Sequence, residues 1–404
     1  MLEIALGILA GAVLGTVSGL VPGIHSNTFA GLIAAFSLPL AAVFGSEGIC
    51  AAIVSMAVVH TFLDAVPSTF LGVPDADTVI SALPAHRLYL EGKGEEAVRV
   101  SNLGSLWGFV LALPLFALFY FFLGQAQGFV DWGIGLVILL AAGLLIVFSA
   151  SPGWAFLIML ATGALGVFAM QFSYLSAGIF SVGEVMLPLL TGLFAVPVLL
   201  TSIKAVPVKK EQKFSGIALL RPRIMISGIK GAVAGAIVGW LPGFSSGTAN
   251  ALLAVHKNPE KANPREYLVA TSAANTANAL LGIAALYAVG RMRSGSMAVL
   301  AEFELPPVLM IVFAAGAAAM LGFFLTIAFS KSSKVVARIN QRYLSFGVLV
   351  FLVVLTMLCT GWFGIVIMLL AAALGRLPVL CGLPRIFCMG AIMVPVMLFS
   401  LGLI

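Results

Sequence analysis

Residues 11–28 read GAVLGTVSGLVPGIHSNT and residues 231–248 read GAVAGAIVGWLPGFSSGT, and the two align without a gap. The identities are Gly11/Gly231, Gly15/Gly235, Gly19/Gly239, Pro22/Pro242, Gly23/Gly243, Ser26/Ser246 and Thr28/Thr248. Chance reproduces one GxxxG in apolar sequence. Three glycines at spacing four, followed by Pro-Gly, Ser and Thr, mark a tandem duplication instead. The halves are residues 1–203 and 224–404, joined by a polar segment, 204–223. A duplicated chain must build its core from two copies of one unit, which leaves few folds open.

The medium of that core follows from charge. Only 9% of the 404 residues are charged and 61% are hydrophobic, with a mean hydropathy of +1.15. Soluble domains carry about 25% charged residues, and disordered chains need low hydrophobicity and high net charge. Apolar runs near bilayer length predict an all-α polytopic membrane protein, and the alternation of an outer-membrane barrel is absent. The net charge of +6 is spread over short loops, so it is no nucleic-acid footprint. Cys50, Cys359, Cys381 and Cys388 lie in or beside apolar runs without a CxxC pair, which predicts buried thiols and neither disulfide nor metal site. Glu3 stands where a signal peptide would carry Lys or Arg, so the N-terminus reads as part of the mature fold.

Basic residues cluster at 87–99, 204–230, 257–265, 331–342 and 376–385. Placed in the cytoplasm of a cell membrane by the positive-inside rule, they put corresponding loops of the two halves on opposite sides. Loop 257–265 matches 37–47, which has only Glu47; loop 331–342 matches 124–131, which has only Asp131; loop 84–99 matches 301–307, which has only Glu302 and Glu304. The expectation is an inverted-topology repeat with the N-terminus outside and linker 204–223 inside. In the first half, an apolar hairpin over 6–36 returns to the outer side, and a passage through 48–83 leads inward. Single spans near 103–123, 132–150, 154–170 and 182–203 follow. Arg291 and Arg293 alone escape the cytoplasmic placement.

Pro-Gly inside a membrane span interrupts a helix, and irregular backbone is tolerated there only within protein or beside a cavity. The paired breaks, with Gly23, His25, Ser26, Asn27 and Thr28 in one half and Gly243, Ser245, Ser246, Thr248 and Asn250 in the other, predict re-entrant hairpins. A helix restarting there offers N–H groups to an anion. The plain alternative is a kink whose hydroxyls bond their own backbone. The glycine stripes before the breaks let helices approach closely. A second interrupted segment follows in each half. Val66 to Pro84 carries Asp75, Asp77 and Thr78; residues 273–300 carry Asn275, Thr276, Asn278, Arg291, Arg293, Ser294 and Ser296. Aligning Gly72 with Gly290 sets Asp75 opposite Arg293, either as site charges or as an ion pair locking the segments. His60 and Asp64 share a helix face at i, i+4. There Asp64 could carry a coupling proton, hold Na⁺, or cap a helix before Pro67.

These features resemble the large membrane subunit family of the tripartite tricarboxylate transporters. Residues 71–98 are similar to its first-half stretch through Val73-Pro74, Thr78, Pro84, Gly92-Lys93 and Glu96-Ala97, and TSAANTAN at 271–278 resembles its second-half stretch. The chain departs from that pattern at Asp75, where a small residue is usual, and at Arg291-Met292-Arg293, which replaces a Pro-Gly. The resemblance implies a small membrane subunit and an extracytoplasmic carboxylate-binding protein as partners. PGIHSNT and PGFSSGT are also similar to the signature of a polyprenyl-phosphate translocase family, whose ligand the arginines would equally suit. The reading is a secondary active transporter of organic anions, with the lipid-phosphate flippase as its alternative. The substrate, most simply a carboxylate, is held at 23–28 and 243–250 with Asn275, Asn278, Arg291, Arg293 and Ser294. Asp64, Asp75, Asp77 and Thr78 serve the coupling ion, H⁺ or Na⁺. No GxxxxGK[ST], HExxH or paired nucleophile is present, so neither ATP use nor enzyme chemistry is expected. Access is expected to alternate around a midplane site as one hairpin-bearing unit moves against a scaffold, with a homodimer as the expected assembly.

Overall fold

A computed structural model describes residues 2–21, 26, 29–30, 33, 36–72, 82–179, 185–204, 211–239, 263–292, 294–336, 340–383 and 385–403. Among them there is helix and no strand. In chain order the helices are α1 (Leu2–Leu20), α2 (Ser37–Leu63), α3 (Ala65–Leu71), α4 (Ala82–Leu90), α5 (Gly94–Val147), α6 (Pro152–Gln171), α7 (Met186–Leu190) and α8 (Val196–Lys204). Then come α9 (Arg221–Gly239), α10 (Pro264–Val289), α11 (Gly295–Ala301), α12 (Val308–Ser330), α13 (Ser333–Val336), α14 (Gln341–Leu380) and α15 (Gly390–Ser400). Seven of the described helices are long and apolar enough to cross a membrane.

Both glycine stripes are used for helix contact. On α1, a Cβ at Gly11 would stand 2.2 Å from Ala52 O, and one at Gly15 2.7 Å from Met56 O; Gly19 faces Leu63. On α9, Gly231 meets Ala270 O at 2.1 Å and Gly235 meets Ala274 O at 2.5 Å, while Gly239 faces Leu281. Carbonyls pressed against glycine Cα give the close helix approach typical of small-residue stripes in membranes. Rising numbers match rising numbers in both pairs, so α1 runs parallel to α2 and α9 parallel to α10. Leu20 and Ser37 therefore lie towards opposite ends of the α1–α2 pair, as do Gly239 and Pro264 of the α9–α10 pair. Helix α1 ends at Leu20 and α9 at Gly239, just short of their Pro-Gly pairs.

The second interruptions also coincide. Gly72 ends α3 at φ 63°, ψ 19° and Gly290 ends α10 at φ 65°, ψ 19°, a left-handed cap that favours glycine. Ala52 and Ala270, like Gly72 and Gly290, stand 218 residues apart (270 − 52 and 290 − 72). In that register His60 corresponds to Asn278 and Asp64 to Gly282, so one half alone carries the ionisable pair.

The long helices then exchange partners. Helix α5 lays Gly104 on Val269 and Gly108 on Ala273 of α10, while Gly322 of α12 packs on Phe62 of α2. Each half thus covers the interrupted helix of the other. Helices α2–α3 and α10 are central: 94% and 83% of their membrane windows are buried, against 28–44% in the other five long spans.

One part of the sequence reading needs correction. Residues 103–123 and 132–150 read as two spans, but α5 continues from Gly94 to Val147, 54 residues and about 81 Å at 1.5 Å per residue. Between 124 and 131 there is no proline, and glycines with one Asp are too weak to interrupt the hydrogen-bond ladder. The counterpart in the second half does break. Asn340 caps α14 by accepting from Arg342 N–H at 3.0 Å, and Gly361 kinks α14 at φ 66°, ψ −156°. All four cysteines are free, with Cys50, Cys359 and Cys388 buried.

Charged groups gather at one end of the helices. Arg265 donates through Nε and Nη2 to the two carboxylate oxygens of Glu96 at 2.7 and 2.8 Å, and Ala218 N–H donates to Glu96 Oε1 at 2.7 Å. Gln212 is buried, accepting from Gly94 N–H and donating to Tyr89 O, and Arg99 lies over the Phe214 ring. Arg223 pairs with Glu266 at 2.8 Å. Loop 91–96, linker 211–223 and the start of α10 therefore share one end. At the opposite end Glu3 stands beside Gly45, Tyr287 O–H donates to Pro306 O and Cys50 approaches Glu304 O. Helix α2 runs from this acidic end towards the basic one, and α10 runs the other way.

Candidate functional site

Where α2 and α10 cross, the apolar core is interrupted by polar side chains. Helix α2 ends at Leu63 and α3 begins at Ala65, with Asp64 between them and Pro67 in the first turn of α3. Asp64 is 3% exposed and its Oδ2 accepts from Asn275 Nδ2 at 2.6 Å. One turn back, Thr276 Oγ1 donates to Thr61 Oγ1 at 3.0 Å, and Ser105 Oγ of α5 donates to Thr61 O at 3.1 Å. His60 Nδ1 meets Ser18 Oγ of α1 at 3.0 Å, and Ser68 Oγ donates to Asp64 O. All of these side chains are buried. Gly19 packs on Leu63, His60 O and Asp64 N, which brings the end of α1, just before its Pro-Gly, against this crossing.

The arrangement decides one question the sequence left open. Asp64 makes no side-chain capping bond to α3, so the capping role falls. Its carboxylate is turned instead across to the other half. A buried carboxylate needs a hydrogen-bonded or cationic partner, and the Asn275 amide of the other half is one such partner. Such a group stabilises a proton or a small cation when one arrives, and the neighbouring hydroxyls and carbonyls are the ligand types a hard cation takes.

The other expected site residues divide. Ser26 is helical and buried, and Asn278 is half-buried on α10. Arg291 follows the α10 cap, with its N–H directed at Ala285 O, and its side chain is half-buried. Ser294 accepts from Met297 N–H at 3.3 Å as the N-cap of α11, a structural use of its hydroxyl. Gly23, His25, Asn27, Thr28, Asp75, Asp77, Thr78, Gly243, Ser245, Ser246, Thr248, Asn250 and Arg293 lie outside the described residues, and with them the Asp75–Arg293 pair.

Sequence reasoning missed Ser18, Thr61 and Ser68. Ser18 sits inside a glycine stripe and reads as a packing residue, and Thr61 and Ser68 are single hydroxyls in apolar runs. It also gave His86 no task. His86 lies 2.9 Å from Thr69 O through Nδ1, near the end of α3, and stacks on Tyr89. Burial holds His86 below the usual histidine range, so it is neutral at pH 7 and donates to that carbonyl.

Among known proteins, the uncharacterised protein MJ1079 of Methanocaldococcus jannaschii is 28% identical over 297 residues, 71% of this chain and 70% of its own length. No solved structure matches. Residues 5–390, nearly the whole chain including both glycine stripes and the α2–α10 crossing, match one transporter family, and the chain belongs to the tripartite tricarboxylate transporter TctA family.

Proposed function

We propose that this protein is a cation-coupled secondary transporter of organic anions, most simply di- or tricarboxylates, with its coupling site at Asp64. The observation that carries the coupling role is the buried Asp64–Asn275 bond, which joins the interrupted helix of one half to that of the other. An ion or proton taken up by Asp64 competes with Asn275 for the carboxylate and so changes how the two helices are tied. Two states of one contact are what alternating access requires. Asp64 corresponds to Gly282, which favours a single coupling site. Family membership supports the carboxylate class. It also supports work with a small membrane subunit and an extracytoplasmic binding protein.

The halves, 1–203 and 224–404, are read as an inverted repeat. What supports this is the opposite course of α2 and α10 between the acidic and basic ends. The positive-inside rule puts the basic end in the cytoplasm and the N-terminus outside. A cysteine at Glu47 should then react with an impermeant maleimide from outside, and one at Lys209 from inside only. The reverse pattern would sink the orientation.

The test of function is uptake of labelled citrate and succinate into proteoliposomes under a Na⁺ or a pH gradient. Wild-type protein should accumulate one of them under one gradient. D64N should lose about 10- to 100-fold of the gradient-driven rate, as expected for losing a charged hydrogen-bonding group, while keeping exchange of internal for external anion. Undiminished accumulation by D64N would remove the coupling role from that residue.

A further inference from the structure

From the basic end, a row of polar side chains runs down α5 towards the α2–α10 crossing. Arg99, Asn102 and Ser105 stand at i, i+3 and i+6, so they follow one ridge of the helix. Ser105 is eleven residues beyond Gly94, about 16 Å along the axis and about halfway across a bilayer core. Its hydroxyl donates to Thr61 O at 3.1 Å, one turn before Asp64. Asn102 is 1% exposed and donates through Nδ2 to Phe323 O at 3.1 Å, next to Gly322, which packs on Phe62. The lower part of the row thus sits where α5 and α12 meet α2 at Thr61 and Phe62.

Two atoms of this row, Arg99 Nε and Asn102 Oδ1, are enclosed and have no hydrogen-bond partner among the described residues. The rest of each side chain is engaged. Arg99 Nη2 donates to Glu95 at 2.8 Å, and its guanidinium lies 4.4 Å over the Phe214 ring. The bond from Asn102 Nδ2 to a carbonyl fixes the amide, so the orphan atom is an acceptor. One orphan therefore donates and the other accepts, one turn apart. A metal cation finds no ligand in an N–H, and a single amide oxygen is too few. An anion is met by the first and repelled by the second. Water satisfies both, and buried polar groups with spare bonds are where ordered water sits.

We propose that Arg99 Nε, Asn102 Oδ1 and Ser105 Oγ hold a file of water molecules that carries the coupling proton between Asp64 and the basic end, so that the coupling ion is H⁺. In release, the Asp64 carboxylic acid gives its proton to the nearest water, leaving a carboxylate and a hydronium. O–H bonds then break and form in turn along the file, and a hydronium leaves at the basic end; loading is the reverse. Glu95 balances Arg99 at the mouth, and Glu96 balances Arg265, so the passing proton meets no net positive charge from these pairs. The choice of ion rests on Asp64 as the coupling site; the water file does not.

Two measurements on the full-length protein test this. In proteoliposomes, N102L should lower pH-driven citrate or succinate uptake about tenfold more than it lowers anion exchange, as for one lost hydrogen bond on the path. N102S, whose hydroxyl can hold a water, should restore most of the difference. Equal losses of uptake and exchange would make Asn102 structural and overturn the proposal, as would uptake driven by Na⁺ alone. In detergent at low pH and without anion, the infrared C=O band of protonated Asp64 is identified by its loss in D64N. On transfer to D₂O it should shift about tenfold more slowly in N102L than in wild type. Equal rates, or no such band, would overturn the proposal. Should N102L not fold, S105A takes its place, with the same slowing expected and an unchanged rate decisive against the file. A wild type that transports no carboxylate sinks the transport reading alone, because the infrared measurement uses no anion.

Discussion

Replacing Gly231 by alanine is expected to destabilise the protein by about 3 kcal/mol, the upper part of the range for overpacked sites. The new methyl would meet Ala270 O at 2.1 Å and Ala273 Cβ at 2.8 Å. The first obstacle is helix backbone, so nothing can rotate aside, and α9 must lift from α10 along its length. G11A should cost a similar amount, since its methyl would meet Ala52 O at 2.2 Å. The contrast is Gly316 on α12, where a Cβ would meet open space. G316A should be neutral or stabilise by about 0.5–1 kcal/mol through helix propensity. Thermal melting of the three variants in one detergent checks all of this. A G231A protein as stable as G316A would mean that α9 and α10 are not packed backbone to backbone.

The second large effect is expected at the basic end. Glu96 and Arg265 have side chains only 6% and 13% exposed, held by two parallel bonds, and Glu96 also anchors linker residue Ala218. Removing one partner of such a pair leaves a buried charge and typically costs about 3–5 kcal/mol. E96Q and R265Q should each lose that much, whereas E96M/R265M together should lose far less. A double-mutant cycle on Tm measures the coupling, and additive single losses would show that the pair is not a unit. Arg87 and Glu91, an exposed pair at 3.4 Å, are the control; R87A should change stability by less than about 1 kcal/mol.

Much of this architecture is legible in the sequence, because duplication and helix breaking are local chemistry. Gly11/15/19 and Gly231/235/239 announce close packing by their spacing, and Pro-Gly announces where a helix must stop. Gly72 and Gly290 can be paired from the pattern alone and do share a backbone conformation. What is not legible is which helix lies against which. That Asp64 reaches Asn275, rather than capping α3, depends on a crossing of two helices whose sequences carry no signal for one another. The ion pair of Glu96 with Arg265 is hidden for the same reason: each looks like an ordinary loop charge until the linker brings the two ends together. Helix α5 eluded the reading from the other side, since a short polar interval resembles a turn although nothing in it breaks a helix.

The exchange of partners between halves bears on how the protein is made. Gly104 and Gly108 of α5 have their contact surface on α10, and Glu96 waits for Arg265, 169 residues later in the chain. At roughly 5–20 residues per second, a ribosome needs about 8–34 s to deliver that stretch. Over this interval the nascent first half sits in the bilayer with Asp64 and Glu96 lacking Asn275 and Arg265, their partners from the second half. The newborn half is therefore a natural client for an insertase or a membrane chaperone, and truncation anywhere before α10 should leave a fragment destined for proteolysis.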